Sequence, residues 1–352
     1  MWRNILPVKG GMPVGGDGRI HTTFTHNPSS LRLSSVDPNL QNIPRGVNSE
    51  VERWVKQIFV ASAGSTFWAR DYSGIEAVLV GYFAGSARYT RLAKLGVHAF
   101  LASHILKRPA DLGWSDADLR AYFAEIKGDK ATYDRAKRTV HASNYMVSPT
   151  KLVIEFPEIF PTKKAASTLQ GLYFELFPEI REWHKDLCLR VDGTKRRNYN
   201  LGDGEDITPW TLGVCHAVNP FGYTHRFYNV IDWVKDNTKH EWLWEFGEDA
   251  KRLISFLPQS TAAAILKRSV KSIWYGYQSV AATLRLLIHD EIFGEVERTG
   301  LEECLAVSRV VMEAPIVELP LDPSWGMGPY LTIGSEAKVG TSWAGMKTVK
   351  EA

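Results

Sequence analysis

Apolar and polar positions follow two different periods along this chain, and the switches between them mark its elements. Phe67 to Ala69 is apolar throughout, as a short buried strand should be. From Ile75 the period changes, and Ile75, Val78, Leu79 and Tyr82 repeat at helical spacing. Ser73 and Gly74 sit at the switch, where a turn and a helix N-cap belong. Leu284 to Val296 has two apolar arms interrupted by His289, Asp290 and Glu291, which predicts a hairpin with those three residues as its turn.

The remaining segments read in order. Arg19 to Phe24 is β-prone and predicts a strand. Leu31 to Pro44 is rich in Ser, Asn, Asp and Pro and predicts a loop. Val51 to Val60 mixes apolar residues with Glu52, Arg53 and Lys56. Leu92 to Leu106 predicts one helix, with Leu92, Leu95, Phe100, Leu101 and Ile105 on its apolar face and His98 beside them. Ser115 and Asp116 are helix-start signals. Tyr133 to Tyr145 predicts a helix in which Lys137, His141 and Tyr145, each four apart, share a face. Residues 163 to 190 predict an amphipathic helix or a pair of them. Asn219 to Phe227 predicts a hairpin turned at Gly222. Lys251 to Tyr275 and residues 301 to 314 predict helices, and Leu331 to Val339 a final strand closed off by Trp343.

Composition narrows the class. The chain has 352 residues, 44% hydrophobic and 23% charged, which predicts a folded protein of two or three lobes. No apolar run approaches the length of a membrane span, and Met1 to Gly16 lacks the basic start and apolar core of a signal peptide. The Gly- and Pro-containing start reads as flexible or truncated. Cys188, Cys215 and Cys304 show neither disulfide nor ligand spacing, which predicts a reducing, cytoplasmic setting. Net charge is only +3, so any nucleic-acid contact must rest on local basicity. Lys195 to Arg197 is one small basic cluster, either a solvated loop or a contact for template phosphate.

Candidate chemistry comes from pairs of residues. Asp71 falls at the end of its predicted strand, where it either holds a metal or helps Ser73 cap the helix. Asp290 falls in the predicted hairpin turn, where charged residues are also ordinary. If the two strands are neighbours in one sheet, the aspartates meet. Paired carboxylates of that kind hold two divalent ions about 4 Å apart and drive in-line phosphoryl displacement. Mg²⁺ is the hard ion that suits carboxylates plus substrate phosphates. Lys137, His141 and Tyr145 offer a cation, an imidazole and a phenol in one row, which suits a nucleotide as well as a solvated helix face. Arg32, Asn39 and Gln41 carry groups able to bond phosphates and base edges.

Residues 67 to 83 and 284 to 296 resemble motifs A and C of the family A DNA polymerases, the DNA polymerase I type. Asp17 to Phe24 and Arg32 to Pro44 resemble that family's primer–template segment. Lys137 to Tyr145 resembles its fingers helix, and Gln259 to Ala262 its palm helix. The order and spacing fit from about residue 15 to about residue 345. The resemblance implies an α+β right-hand polymerase with an antiparallel palm sheet and helical fingers. Residues 1–95 and 251–352 would form the palm and 96–250 the fingers, with the thumb largely missing.

The implied reaction is template-directed DNA synthesis on a primer 3′-hydroxyl, with release of pyrophosphate. The resemblance implies that Asp71, Asp290 and the carbonyl of Tyr72 hold two Mg²⁺, for which Mn²⁺ could substitute. Glu291 and His289 would support the primer end. His98 and Lys137 would hold the triphosphate, and His141 would stack on the base. Glu76 and Tyr145 would wall off the ribose 2′ side, and Arg32, Asn39, Gln41 and Gln259 would contact DNA. Primer–template DNA, dNTPs and a separate polypeptide supplying a thumb or exonuclease are the implied partners, in the cytoplasm of a bacterial or phage-infected cell. A non-catalytic DNA-binding remnant or split-polymerase subunit is the alternative, and a two-metal nuclease a further one. The chain departs from the family at three places. Tyr133 stands where an Arg is usual, His141 where a Phe or Tyr is, and Met146 where a Gly is. Weak dNTP affinity is therefore expected, unless Lys130 or Arg135 replaces the missing cation.

Overall fold

A computed structural model of the chain describes residues 14–25, 31–43, 50–191, 215–236 and 241–349. The Lys195–Arg197 cluster and most of the Gly- and Pro-containing start lie outside the described residues.

In chain order, strands β1 (Thr23–Thr25) and β2 (Ser34–Val36) form an antiparallel ribbon, followed by helix α1 (Glu50–Gln57). Then come β3 (Ser65–Tyr72), α2 (Ile75–Phe83), α3 (Ala87–Leu95), α4 (Val97–Ile105), α5 (Asp116–Ile126) and α6 (Lys130–Asn144). Helices α7 (Pro149–Glu155), α8 (Lys163–Leu176) and α9 (Pro178–Val191) follow. Two hairpins, β4 (Cys215–Val218) with β5 (Thr224–Phe227) and β6 (Ile231–Asp236) with β7 (Glu241–Phe246), lead into the long helix α10 (Ala250–Gly276) and the short α11 (Gln278–Ala281). The chain ends with β8 (Leu284–Ile288), β9 (Glu291–Glu297), α12 (Leu301–Met312), β10 (Ile316–Pro320), β11 (Tyr330–Leu331), β12 (Ser335–Gly340) and β13 (Lys347–Thr348).

The chain divides into two compact units. The first combines Met1–Ser73 with Ala262–Ala352, and the second is Gly74–Thr261. The first unit is built on a five-stranded sheet of order β13-β12-β3-β9-β8, antiparallel at every pairing. Phe67, Ala69, Leu286 and Phe293 pack on one face with Leu40, Ile43 and Val55. Trp68 points away from that cluster, fully buried, and its indole N–H donates to Thr283 Oγ1 at 3.1 Å. Gly294 pairs with Trp68 across the strands, and a Cβ there would lie 2.3 Å from the indole nitrogen, so the register needs glycine at this point. Arg70, also fully buried, donates to Ser308 Oγ, Ser335 Oγ and the Leu305 carbonyl, tying β3 to α12 and β12.

At the other end of β9, Glu295 is almost wholly buried but accepts from Arg19 at 2.7 Å and from the Ser62 N–H at 2.7 Å. Burial alone would raise its pKa, but these partners outweigh it and hold the carboxyl at about 2, against an ordinary 4.5. A carboxylate whose folded value is depressed stabilises the fold fully above its unfolded value, and that contribution is lost as pH falls through the folded value. Glu295→Gln should therefore cost about 2–3 kcal/mol at pH 7. The gap to the parent chain in denaturant midpoints should narrow steadily below pH 4.5.

The second unit is mainly helical. Its core gathers Val80, Tyr89, Leu92, Phe100, Leu101, Phe123, Val140, Phe177 and Ile254. Asn144, the last residue of α6, is buried and fixes the end of that helix. Its Oδ1 accepts from the hydroxyls of Tyr89 and Tyr173, and its carbonyl meets His184 Nε2 at 2.9 Å. Burial pushes the Tyr89 phenol up to about 12 and the Tyr173 phenol well above its ordinary value, so both stay protonated and donate. Removing a partner from buried polar groups costs about 1–3 kcal/mol each. Asn144→Ala should lower stability by about 2–3 kcal/mol in denaturant titration, and an unchanged midpoint would mean the phenols satisfy one another.

Several expected elements differ from those observed. Helix 92–106 is two helices, because Gly96 takes φ 142 and faces the Phe123 ring. The 31–44 loop contains β2 and a 3₁₀ turn at Leu40–Asn42. The strand expected over 19–24 is confined to Thr23–Thr25. The final strand splits at Gly334, since β11 pairs with β10 and β12 with β3. Residues 163–190 are a pair of helices, divided at Phe177–Pro178. Hairpin β6–β7 was not foreseen. No helix among the described residues is long and apolar enough to cross a membrane.

Candidate active site

In the first unit, the sheet register sets Asp71 beside the turn that carries Asp290. Asp71 is the penultimate residue of β3 and stands opposite Glu291, the first residue of β9. Directly opposed residues of antiparallel strands share a face about 5 Å apart. Asp290 precedes Glu291 in the turn, and its carbonyl accepts the Tyr72 N–H at 3.3 Å. The turn is therefore His289–Asp290 alone, with His289 in the left-handed region at φ 55; Glu291 belongs to the strand rather than to the turn. The helix after β3 is capped by Gly74 at φ 62 instead of by a side chain, and the Ser73 N–H goes to the Gly334 carbonyl. The sharp reversal from strand to helix demands a left-handed residue, which glycine supplies at least cost.

Two cations stand beside these carboxylates. Lys338 of β12 donates to Glu291 Oε2 at 3.1 Å and lies 3.9 Å from Asp71 Oδ2. Arg32 approaches Asp290 Oδ1 at 3.6 Å. Burial alone would lower the Lys338 pKa, but Glu291, Asp71 and Glu336 outweigh it and raise it, so this ammonium stays charged. Sequence reasoning missed Lys338, because its partners are remote in sequence. Tyr72 turns its ring inward, where its hydroxyl meets Ser269 Oγ at 2.8 Å; burial raises the phenol to about 12.

The donor set fits a hard divalent cation. Among the described residues no group of three or more His, Cys, Asp or Glu is placed to hold a metal ion by itself. The site instead offers a few carboxylate oxygens at adjoining strand ends, already facing cationic groups. Mg²⁺ is typically bound in just this way, through one or two carboxylates completed by substrate phosphates and water.

Arg32, Gln41, Lys267 and His289 line one small cleft of the first unit. Gln41 is committed within the protein: its Nε2 donates to the Leu287 carbonyl and its Oε1 accepts the Ser35 N–H. It thereby docks the loop on β8. Asn39 Oδ1 likewise caps the 3₁₀ turn through the N–H groups of Gln41 and Asn42. His289 is exposed at its turn.

In the second unit a separate row forms on and beside α6. Lys137 and His141 are exposed, and Tyr145, the residue that ends the helix, is buried. The Tyr145 hydroxyl donates to Glu76 Oε2 at 2.5 Å, and its ring meets that of His141 at 5.1 Å. His98 faces the Tyr133 ring edge-on. Burial, then the nearby Lys137 and His141, push the His98 pKa down to about 3, so its imidazole is neutral at pH 7. Of the two cations considered for the missing Arg, Lys130 falls on the Lys137 row by helical spacing and Arg135 on the other side. Gln259 is partly buried on α10.

Acidic strand ends in an antiparallel sheet, together with a helical unit carrying a Lys–His–Tyr row, are consistent with the resemblance to a polymerase. The model of DNA polymerase family A matches residues 12–202, more than half of the chain, and the chain belongs to that family. It is 28% identical over 317 residues to the thermostable DNA polymerase I of Thermus caldophilus, covering 88% of this chain and 32% of that protein. It is 28% identical over 320 residues to DNA polymerase I of Deinococcus radiodurans, covering 89% and 28%. The chain thus spans about a third of the length of these relatives. The fold is similar to that of the POL domain of Pol1 from M. smegmatis, solved in complex with DNA primer-template and dNTP. That match has a TM-score of 0.61 at 23% identity and covers 94% of this chain and 49% of the other.

Proposed function

We propose that this chain carries out template-directed DNA synthesis, with the first unit as the palm and the second as the fingers. In this assignment the lobes follow the two compact units, which divide at Ser73/Gly74 and Thr261/Ala262 rather than at the expected 95/96 and 250/251. The observation that carries the reading is the placement of Asp71 opposite Glu291 with Asp290 in the adjoining turn. The primer 3′-hydroxyl gives up its proton to solvent and its oxygen forms a bond to the α-phosphorus of a paired dNTP, while the bond from that phosphorus to the α–β bridging oxygen breaks and pyrophosphate leaves with that oxygen. Asp71, Asp290 and the Tyr72 carbonyl would hold two Mg²⁺, which when bound supply Lewis acidity at the attacking and leaving oxygens.

The chain's own groups do the rest. Lys137 meets the triphosphate from the exposed face of α6. His98, neutral at pH 7, serves as a hydrogen-bond partner rather than a second cation. His141 stacks on the base, and the linked Tyr145–Glu76 pair closes the sugar's 2′ side. Arg32, His289 and Gln259 meet the primer–template, while Gln41 and Asn39 shape the loop that presents Arg32.

The test is extension of a primed DNA template by the purified chain with and without Mg²⁺. Extension that depends on the metal is the expected result. Binding of primer–template without any extension would leave the remnant reading standing instead.

A further inference from the structure

Lys338 has no part in the functional reading carried over from the family, yet it occupies the centre of the acidic site. Its strand pairs with β3, placing Glu336 opposite Asp71 and Lys338 opposite Ala69, two residues back on the same face. From there the ammonium reaches Glu291 at 3.1 Å and Asp71 at 3.9 Å. Without it, Asp71 and Glu291 would face each other as opposed carboxylates at adjoining strand ends.

Asp71 and Glu291, directly opposed across the strands, are close enough to share one cation. A site of that kind would hold a divalent ion in the absence of substrate and would draw Glu291 into its coordination. A catalytic site gains from the opposite arrangement, in which nucleotide phosphates complete the ligand set.

We propose that Lys338 is a positioning residue that holds Glu291 away from the metal ligands and weakens the grip of Asp71 on a divalent ion until nucleotide arrives. The inference rests on the reading that Asp71 and Asp290 hold the ions. Lys338 therefore acts through Glu291 and Asp71 and touches neither primer nor nucleotide.

The experiment measures Mn²⁺ binding to the full chain without DNA or nucleotide, by the loss of the free-ion EPR signal, beside primer extension at saturating metal. A single opposite charge within about 4–6 Å changes a carboxylate's affinity for a cation about 10–1000-fold, and partial exposure favours the low end of that range. Lys338→Met should therefore tighten Mn²⁺ binding about 10-fold while extension slows. Lys338→Arg, which keeps the charge, should bind Mn²⁺ as the parent does. Adding Glu291→Gln to Lys338→Met should remove most of the tightening.

The opposite movement of affinity and rate separates this role from a structural one, which would lower both. Unchanged or weaker Mn²⁺ binding in folded Lys338→Met, as judged by circular dichroism, overturns the proposal. Should that variant not fold, Lys338→Gln is measured in its place against the same criterion. Asp71→Asn distinguishes the two levels of the argument. If it too leaves Mn²⁺ binding unchanged, the metal assignment itself has failed. If it abolishes binding while Lys338→Met changes nothing, only the role of Lys338 has.

Discussion

Asp71→Asn and Asp290→Asn should each slow primer extension by at least about 10³-fold while leaving primer–template affinity nearly unchanged. Each substitution keeps the side chain's size and removes its charge, so the sheet around it has no reason to rearrange. Asp71 is held by strand pairing on both sides, to Glu291 in β9 and Glu336 in β12. Asp290 is held by the turn, through its carbonyl bond to Tyr72. What is lost is the anionic oxygen that a hard divalent ion needs, and with it several kcal/mol of transition-state stabilisation. Extension assays at saturating DNA and dNTP, with affinity read separately by fluorescence anisotropy, check this. A variant that retained a large fraction of the parent rate would remove that aspartate from the reaction centre.

The second large effect is on sugar selection. Glu76→Ala should raise ribonucleotide use relative to deoxynucleotide use by about 10–200-fold, the range available from contacts with one small group. The structure sharpens the expectation, because Glu76 does not stand alone. The Tyr145 hydroxyl donates to it, and the Tyr145 ring is buried, so the carboxylate is held in one place. Tyr145→Phe removes that tether and should relax selection in the same direction but less. Single-nucleotide insertion with matched dNTP and NTP measures both variants. A ratio that stays constant in Glu76→Ala would place the barrier to the 2′-hydroxyl elsewhere.

Much of the site was legible where a local pattern changes. The apolar strand at Phe67, the glycine turn and the helical repeat from Ile75 lie within seventeen residues, and each signal is carried by its neighbours. The same holds for the hairpin around Asp290. Gly96 was a readable stop after Leu95, and continuing the helix through it gave too much weight to apolar spacing. Gln41 and Asn39 have the right chemistry for DNA, but only the fold reveals that Gln41 ties the loop to β8 and that Asn39 Oδ1 caps the 3₁₀ turn. Lys338 and Asn144 were invisible for a different reason. A charged residue in a strand and a polar residue ending a helix are ordinary in isolation. Their meaning comes from partners fixed by register and helix packing, Glu291 for one and Tyr89 and Tyr173 for the other.

The first unit is sewn from both ends of the chain, and this sets an order of events during synthesis. Residues 74–261 leave the ribosome as one continuous stretch with all the partners of their own core. Strand β3 emerges before them but pairs with β9 and β12, which are made after them. At cellular elongation rates that gap is on the order of ten seconds or more. Through it, Phe67, Trp68 and Ala69 have no sheet to enter, and a nascent apolar strand with unpaired edges is a template for wrong pairings. Closing so long a loop also places the central sheet late on the folding path, since non-local pairing repays its entropy only once both ends have met. The sheet that carries Asp71 is therefore completed late, and Asp71 spends its early life on a strand that has nothing yet to pair with.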